Sequence, residues 1–259
     1  MFINNFDPIA FNLFSIEIRW YSLAYIFSIT FGWYYCKKKL ITDTKILNLF
    51  DDLISYIIIG IILGGRLGYI LLYNPEYYLK NFLEIFAIWN GGMSFHGGLI
   101  GTLVATTIFS NQKKINSFIF LDLISRVAPI GLFLGRIANF INSELYGRET
   151  NILWSTKFIS VDNLSRHPSQ IYEAICEGLL LFLILSYLAK KKEFKFPGLI
   201  SALFLIVYST FRFVLEFYRE PDLHIGYLTF GLTLGQYISL LFLFSGIILY
   251  CFKKNESKK

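Results

Sequence analysis

Apolar residues run along this chain in long blocks separated by short polar breaks. Seven blocks are evident, at about Trp20–Cys36, Leu53–Tyr73, Met93–Phe109, Phe118–Phe140, Ser169–Ala189, Pro197–Tyr218 and Leu232–Phe252. Each is long enough to cross ~30 Å of hydrocarbon as a helix rising ~1.5 Å per residue. Two of the breaks are themselves substantial. Residues 74–90 mix Tyr, Phe and Trp with Glu76, Lys80 and Glu84, which suits a segment lying in the membrane interface. Residues 141–168 form the one sizeable polar stretch and predict a small cap outside the bilayer.

Charge gives the blocks a direction. Lysines gather at Lys37–Lys39 with Lys45, at Lys113–Lys114, at Lys190–Lys192 with Lys195, and at Lys253–Lys254 with Lys258–Lys259. These account for 14 of the 24 Lys and Arg residues, and they fall at alternate breaks. Cytoplasmic loops carry such an excess. The pattern predicts an all-α integral membrane protein: a single membrane domain over residues 1–259, seven transmembrane helices, N-terminus outside and C-terminus cytoplasmic. Trp20 and Trp89 read as interfacial anchors. Residues 1–19 read as an outer lead-in. With no basic start and no small-residue cleavage site, they are not expected to be a removable signal peptide.

Composition agrees. Apolar residues make up 55% of the chain and charged residues only 16%, against about 25% charged in soluble domains. The net charge of +6 could suggest nucleic acid, but its confinement to lysine clusters at helix ends argues for a membrane surface instead. Cys36, Cys176 and Cys251 all lie in apolar runs at wide spacing, fitting neither a disulfide framework nor a metal site. No HExxH, CxxC or Walker loop occurs, so no metal and no cofactor are expected. Glycines at 60, 64 and 68, at 97 and 101, and at 131 and 135 recur at four-residue spacing, the pattern of close helix packing in lipid.

Against this background the polar residues inside the blocks stand out, because ionisable groups in a membrane span are costly and mark function by default. They are Arg66, His96, Arg136 with Asn139, Gln170 with Glu173 and Glu177, and Tyr208 with Arg212 and Glu216. Measured along their spans, nearly all lie in the outer half. Tyr208, Arg212, Glu216 and Arg219 share one face of the sixth helix; Gln170, Glu173 and Glu177 share one face of the fifth. Arg66, Arg136 and Arg212 at one depth predict an outward-facing site for an anionic lipid headgroup, since guanidinium favours bidentate contact with phosphate. Tyr21 sits one residue inside Trp20, as a second anchor or with its hydroxyl in the site. Asp122 and Arg126, near the inner end of the fourth block, are expected to pair with each other. His167 and His224, in outer loops, are expected to take no part in chemistry. A transporter or flippase for an anionic lipid is the competing class. It lacks support in an inner polar pathway or an inverted repeat.

The motifs in order are Trp20-Tyr21, Gly64-Gly65-Arg66-x-Gly68-Tyr69, Gly91-Gly92-Met93-Ser94-Phe95-His96-Gly97-Gly98, Gly135-Arg136-x-Ala138-Asn139-Phe140-Ile141-Asn142-x-Glu144-x-x-Gly147, His167-Pro168-Ser169-Gln170-Ile171-Tyr172-Glu173, and Phe211-Arg212-x-x-x-Glu216-Phe217-x-Arg219. Together they resemble the signature of bacterial prolipoprotein diacylglyceryl transferases over essentially the whole chain. The resemblance implies transfer of the diacylglyceryl group of phosphatidylglycerol to the lipobox cysteine of prolipoprotein signal peptides. The product would be a thioether and the released group glycerol phosphate, on the outer face of the bacterial inner membrane. Arg136 and Arg212 would hold the phosphate, with Asn139 and Glu144 shaping that grip and Gly147, Arg66 and Arg219 beside it. Glu173 and Glu216 would orient the arginines or the headgroup glycerol. Only a thiolate is a competent nucleophile, so a base is needed. His96 is the first candidate, since imidazole titrates near neutrality, and Tyr21 is the second candidate or a proton relay.

Overall fold

The computed structural model describes residues 1–14, 16–73, 75–221 and 226–259. Asn74, Asp222 and His224 lie outside the described residues. The chain is mostly helical, and each of the seven apolar blocks carries a helix: α1 (Trp20–Tyr35), α2 (Thr44–Tyr73), α4 (Phe95–Lys113), α5 (Ser117–Ile141), the pair α6 (Ser169–Glu173) and α7 (Leu181–Leu188), α8 (Leu199–Leu215) and α9 (Leu234–Glu256). A π-helical stretch, Ala174–Leu180, joins α6 to α7 without a break. Among the described residues, four helices are long and apolar enough to cross a membrane: Thr44–Leu71, Ser117–Ile141, Ser169–Leu188 and Leu234–Glu256.

By contacts the chain divides into two units, residues 36–121 and residues 1–35 with 122–259. In the first, α2 begins at Thr44 rather than near Leu53, because the Asp43 side chain accepts from the Lys45 and Ile46 amides and caps the polar extension. The glycine spacing places α2 against α4 with almost no side chain between them. A Cβ added at Gly60 would strike Ala105 at 2.7 Å, and one at Gly68 would meet the Gly97 Cα at 2.7 Å. Such close approach is how helices associate where both are surrounded by apolar groups. Between α2 and α4, the expected interfacial segment breaks into α3 (Pro75–Lys80) and two single 3₁₀ turns, Phe82–Ile85 and Ile88–Asn90. Ser94 then caps α4, its hydroxyl accepting from the Gly97 amide at 3.2 Å.

In the second unit, Leu181, Leu185 and Ile200 form a dry core with Leu132, Val207 and Phe211 packed around it. Asp122 feels the charge of Arg126, as expected, and does more: its carboxylate accepts from the Gly198 amide (2.8 Å), the Ser201 amide (2.8 Å) and the Ser201 hydroxyl (2.6 Å), capping the start of α8.

The cap adds what an all-α reading lacked, five short strands. β1 (Phe2–Asn4) runs parallel to β4 (Thr156–Phe158), which pairs antiparallel with β5 (Ser165–Arg166); β2 (Ile9–Leu13) and β3 (Ile16–Arg19) make a separate hairpin. The N-terminal lead-in is thus an integral strand of the cap. Asn4 ties it to the end of α5 by donating to the Phe140 carbonyl at 2.6 Å, and Phe140 stacks edge-on against Phe158.

Candidate active site

The helices of the second unit bring a cluster of charges together at the ends of α5 and α8 nearest the cap. From α5 comes Arg136. Its Nε lies 2.9 Å from Glu173 Oε2, and its Nη2 donates to Glu177 Oε2 at 3.2 Å. From α8 comes Arg212, with Nη1 at 2.5 Å from Glu173 Oε1 and Nη2 at 2.6 Å from Glu216 Oε2. Glu173 and Glu177 are fully buried and receive both guanidiniums, while the arginine side chains keep 15% and 10% of their surface open. Two cations therefore share a set of buried carboxylates and keep a small part of their surface open. Buried charges are tolerated only when paired this way.

The local sequence explains the convergence. Glu173 closes α6, and Glu177 lies one turn on, in the π-helical stretch. A single wide turn within a span commonly marks a functional position. Arg212 and Glu216 are four residues apart and pair along α8. Glu216 is further held by the Thr233 hydroxyl at 2.9 Å, from the cap of α9, where Gly235 leaves space for the carboxylate. Thr233 and Gly235 were not singled out from the sequence. Their signal was a Thr-x-x-Gln capping box, which reads as a helix start and nothing more.

The stretch after Arg136 works as a hinge into the cap. Buried Asn139 donates to Glu144 Oε2 at 3.1 Å, and Asn142 donates to Oε1 at 3.3 Å. Ser143 and Leu145 have positive φ, 57° and 55°, turning the chain out of the helix. Gln170 then donates to the Glu144 carbonyl at 2.6 Å, locking this turn to the start of α6. Gly147 lies deep in the backbone crossing beyond. Its amide donates to the His167 carbonyl at 3.1 Å, and a Cβ there would come within 2.8 Å of the Tyr218 carbonyl. Arg219 pairs with Gly147 through the backbone, and its charge reaches Glu173.

Other predicted residues are placed differently. Tyr21, half-buried on α1, packs against Tyr25 with ring centroids 5.2 Å apart, and Tyr25 feels the charge of Arg136. Arg66 and His96 belong to the unit of residues 36–121. Arg66 is almost fully buried, and its guanidinium donates to five carbonyls: Glu84, Ile85, Ala87, Gly91 and Gly92. All five N–H groups of an arginine are thereby engaged. These bonds fold residues 84–92 around the guanidinium. His96 is exposed near the start of α4.

Two cap arginines escaped notice because each lies just outside a motif, in a polar stretch where a charge is unremarkable. Arg148 donates from Nε to the Arg219 carbonyl at 2.9 Å. Arg166 pairs with Asp162 at 2.7 Å and lies over the Tyr146 ring at 4.7 Å. The Arg166 hydrogen bonds hold the Asp162 carboxyl below its ordinary value, and partial burial lowers the His167 imidazole. His167 Nδ1 meets the Tyr172 hydroxyl at 3.2 Å. Both line an aromatic cavity of about 480 Å³ with Trp154, Cys176, Leu215 and Tyr218, where Cys176 and Leu215 are next along the chain to Glu177 and Glu216. Among the described residues, no group of three or more His, Cys, Asp or Glu side chains is arranged to hold a metal ion.

Residues 8–252 match the family described as prolipoprotein diacylglyceryl transferase. The chain is 50% identical over 249 residues to a protein of Rickettsia bellii (strain OSU 85-389), covering 95% of this chain and 94% of that one. It is 48% identical to relatives in Rickettsia felis, over 95% of this chain and 96% of the relative, and in Rickettsia typhi, over 97% and 98%. All three carry the name phosphatidylglycerol–prolipoprotein diacylglyceryl transferase.

Proposed function

The chain belongs to the prolipoprotein diacylglyceryl transferase family, and from that membership we propose how it moves a diacylglyceryl group from phosphatidylglycerol to a prolipoprotein. The supporting observation is the pair Arg136 and Arg212, oriented in advance by the shared carboxylates Glu173 and Glu177. A phosphodiester entering beside them meets two guanidiniums whose rotamers are already fixed, so little reorganisation accompanies binding. The incoming cysteine thiol loses its proton to a base. The thiolate sulfur attacks the glyceryl carbon bonded to the phosphate oxygen. That C–O bond breaks, its electron pair leaves with glycerol phosphate, and a thioether remains. Negative charge grows on the departing phosphate, so fixed cations are worth most in the transition state.

In this reading Arg136 and Arg212 bind and stabilise the phosphate, and Glu173, Glu177 and Glu216 position them. Asn139 and Glu144 hold the turn that carries Arg136, and Gly147 with Arg219 join it to the rest of the cap. The base assignment rests on the sequence: His96 first, Tyr21 second. We further propose seven crossings, with the N-terminus and the cap on the outer side of the bacterial inner membrane. The lysine clusters at alternate breaks and the four long apolar helices support this arrangement. The cysteine accepted is that of a lipobox. A carrier for anionic lipid is not favoured beside transferase relatives of this similarity.

The experiment is a transfer assay in membranes with labelled phosphatidylglycerol and a lipobox peptide. The expected result is a gain of one diacylglyceryl mass on the peptide cysteine, absent when that cysteine is serine. No gain with competent lipid and peptide would sink the assignment.

A further inference from the structure

A second site lies at the opposite ends of the same helices. Lys192, Lys195, Lys254 and Lys258 line a cavity of about 500 Å³ together with Glu193, Phe196 and Pro197. It sits where the chain passes from α7 to α8, against the C-terminal end of α9. Pro197 and Arg212 are 15 residues apart along α8 and its approach, which puts this cavity roughly 20 Å from the arginine cluster at ~1.5 Å per residue.

Two features separate it from an ordinary solvated lysine face. First, Lys253 and the amides that open α8 already have partners, whereas these four lysines have no ion pair among the described residues. Lys253, buried against Gly198, pairs with Glu256 at 2.8 Å, and the amides at the start of α8 are taken by Asp122. None of the four lining lysines is ion-paired among the described residues, and against Glu193 they leave three positive charges around one cavity. Second, the cavity is two-faced. Phe196 and Pro197 give it an apolar side, and half-buried Lys254 lies over the Phe194 ring at 5.8 Å.

We propose that this cavity binds the phosphate of an anionic phospholipid headgroup, with the lysines around the phosphate and the glycerol end against Phe196 and Pro197. Basic pockets between membrane helices recognise lipid phosphates in this way. The site is distinct from the one that consumes phosphatidylglycerol and takes no part in the transfer chemistry. Its occupant tethers the α7–α8 turn to the tail of α9.

The test uses the full-length protein in neutral detergent, with phosphatidic acid as probe because it carries a phosphate but no headgroup to release. Native mass spectrometry counts bound lipid for the wild type, for K192Q/K195Q/K254Q/K258Q, and for the same four positions as arginine. The expected result is one fewer phosphatidic acid on the glutamine variant, or at least tenfold weaker retention, with recovery in the arginine variant. Phosphatidylcholine should bind equally to all three. Diacylglyceryl transfer should stay within about twofold of wild type, showing that the fold is intact. Equal phosphatidic acid occupancy in wild type and glutamine variant would overturn the site. Displacement of the lipid by millimolar inorganic phosphate would overturn the lipid assignment in favour of a soluble phosphate ester.

Discussion

Arg212→Lys is the sharpest test of the arginine cluster, because it keeps the charge and removes the fork. Arg212 holds two carboxylates on two nitrogens, Glu173 at 2.5 Å and Glu216 at 2.6 Å. A lysine has one nitrogen and can keep one of these at that length. Losing a charge-assisted hydrogen bond costs about 1.5–3 kcal/mol, and leaving a buried carboxylate without its cation costs about 3–5 kcal/mol. Thr233 still holds Glu216, and Arg136 still holds Glu173, so much of the larger figure is offset. Carried in full to the transition state, the net loss of about 2–3 kcal/mol in how firmly the cation is held is, at ~1.36 kcal/mol per decade, a ~30–150-fold fall in kcat/KM. The assay is initial-rate transfer to a lipobox peptide in mixed micelles, with a thermal melt of each variant alongside. Arg212→Gln should fall further, since it removes the charge as well. If Arg212→Lys transferred within threefold of wild type at unchanged Tm, a point charge would suffice and the preoriented fork would be the wrong picture.

The remaining predictions separate structure from chemistry. Arg66→Lys can satisfy at most three of five carbonyls, so limited proteolysis should cut residues 84–92 faster than in wild type. Gly147→Ala drives a methyl toward the His167 and Tyr218 carbonyls; overpacking of this kind costs about 1–3 kcal/mol and should lower Tm by several degrees. Asp122→Asn turns a donor toward the Gly198 amide in place of an acceptor, costing about 1–2 kcal/mol of α8 capping and lowering Tm, while activity per folded enzyme stays near wild type. The pH dependence of the cap follows from His167 and Asp162. Burial depresses His167 below its ordinary 6.5, so its neutral form contributes stability that is full above that value and is lost as pH falls through the lower folded value. Asp162 is depressed below 3.8 by Arg166, so its contribution fades only in stronger acid. Tm measured against pH should therefore fall in two steps, and His167→Gln should remove the first; an unchanged first step would refute it.

The sequence made the helices legible because blocks of apolar residues broken by lysines admit few other arrangements. The cap resisted for the opposite reason. Its strands hold three, three and two residues in one sheet, too short for any alternation to register. Their pairing is set by a chain terminus reaching residues 156–158, which no local pattern announces. In the cluster, helical spacing was enough to put Glu173 with Glu177 and Arg212 with Glu216, since each pair lies on one helix. It could not say that the two faces would share partners. Nor could it say that Thr233, from a third helix, would hold Glu216 in place.

Arginine shows where sequence reasoning about buried charge reaches its limit. Arg66, Arg136 and Arg212 read alike: each is a costly cation within an apolar run, near the same depth. Their partners differ in kind. Arg66 is met by carbonyls, which carry no net charge and fill every donor it has, so it closes a loop and leaves nothing for a ligand. Arg136 and Arg212 are met by carboxylates, which carry the opposite charge and leave 15% and 10% of the side-chain surface open. The first arrangement satisfies an arginine, whereas the second aims it. The distinction lies in which acceptors the fold delivers, residues away in sequence from the arginine itself.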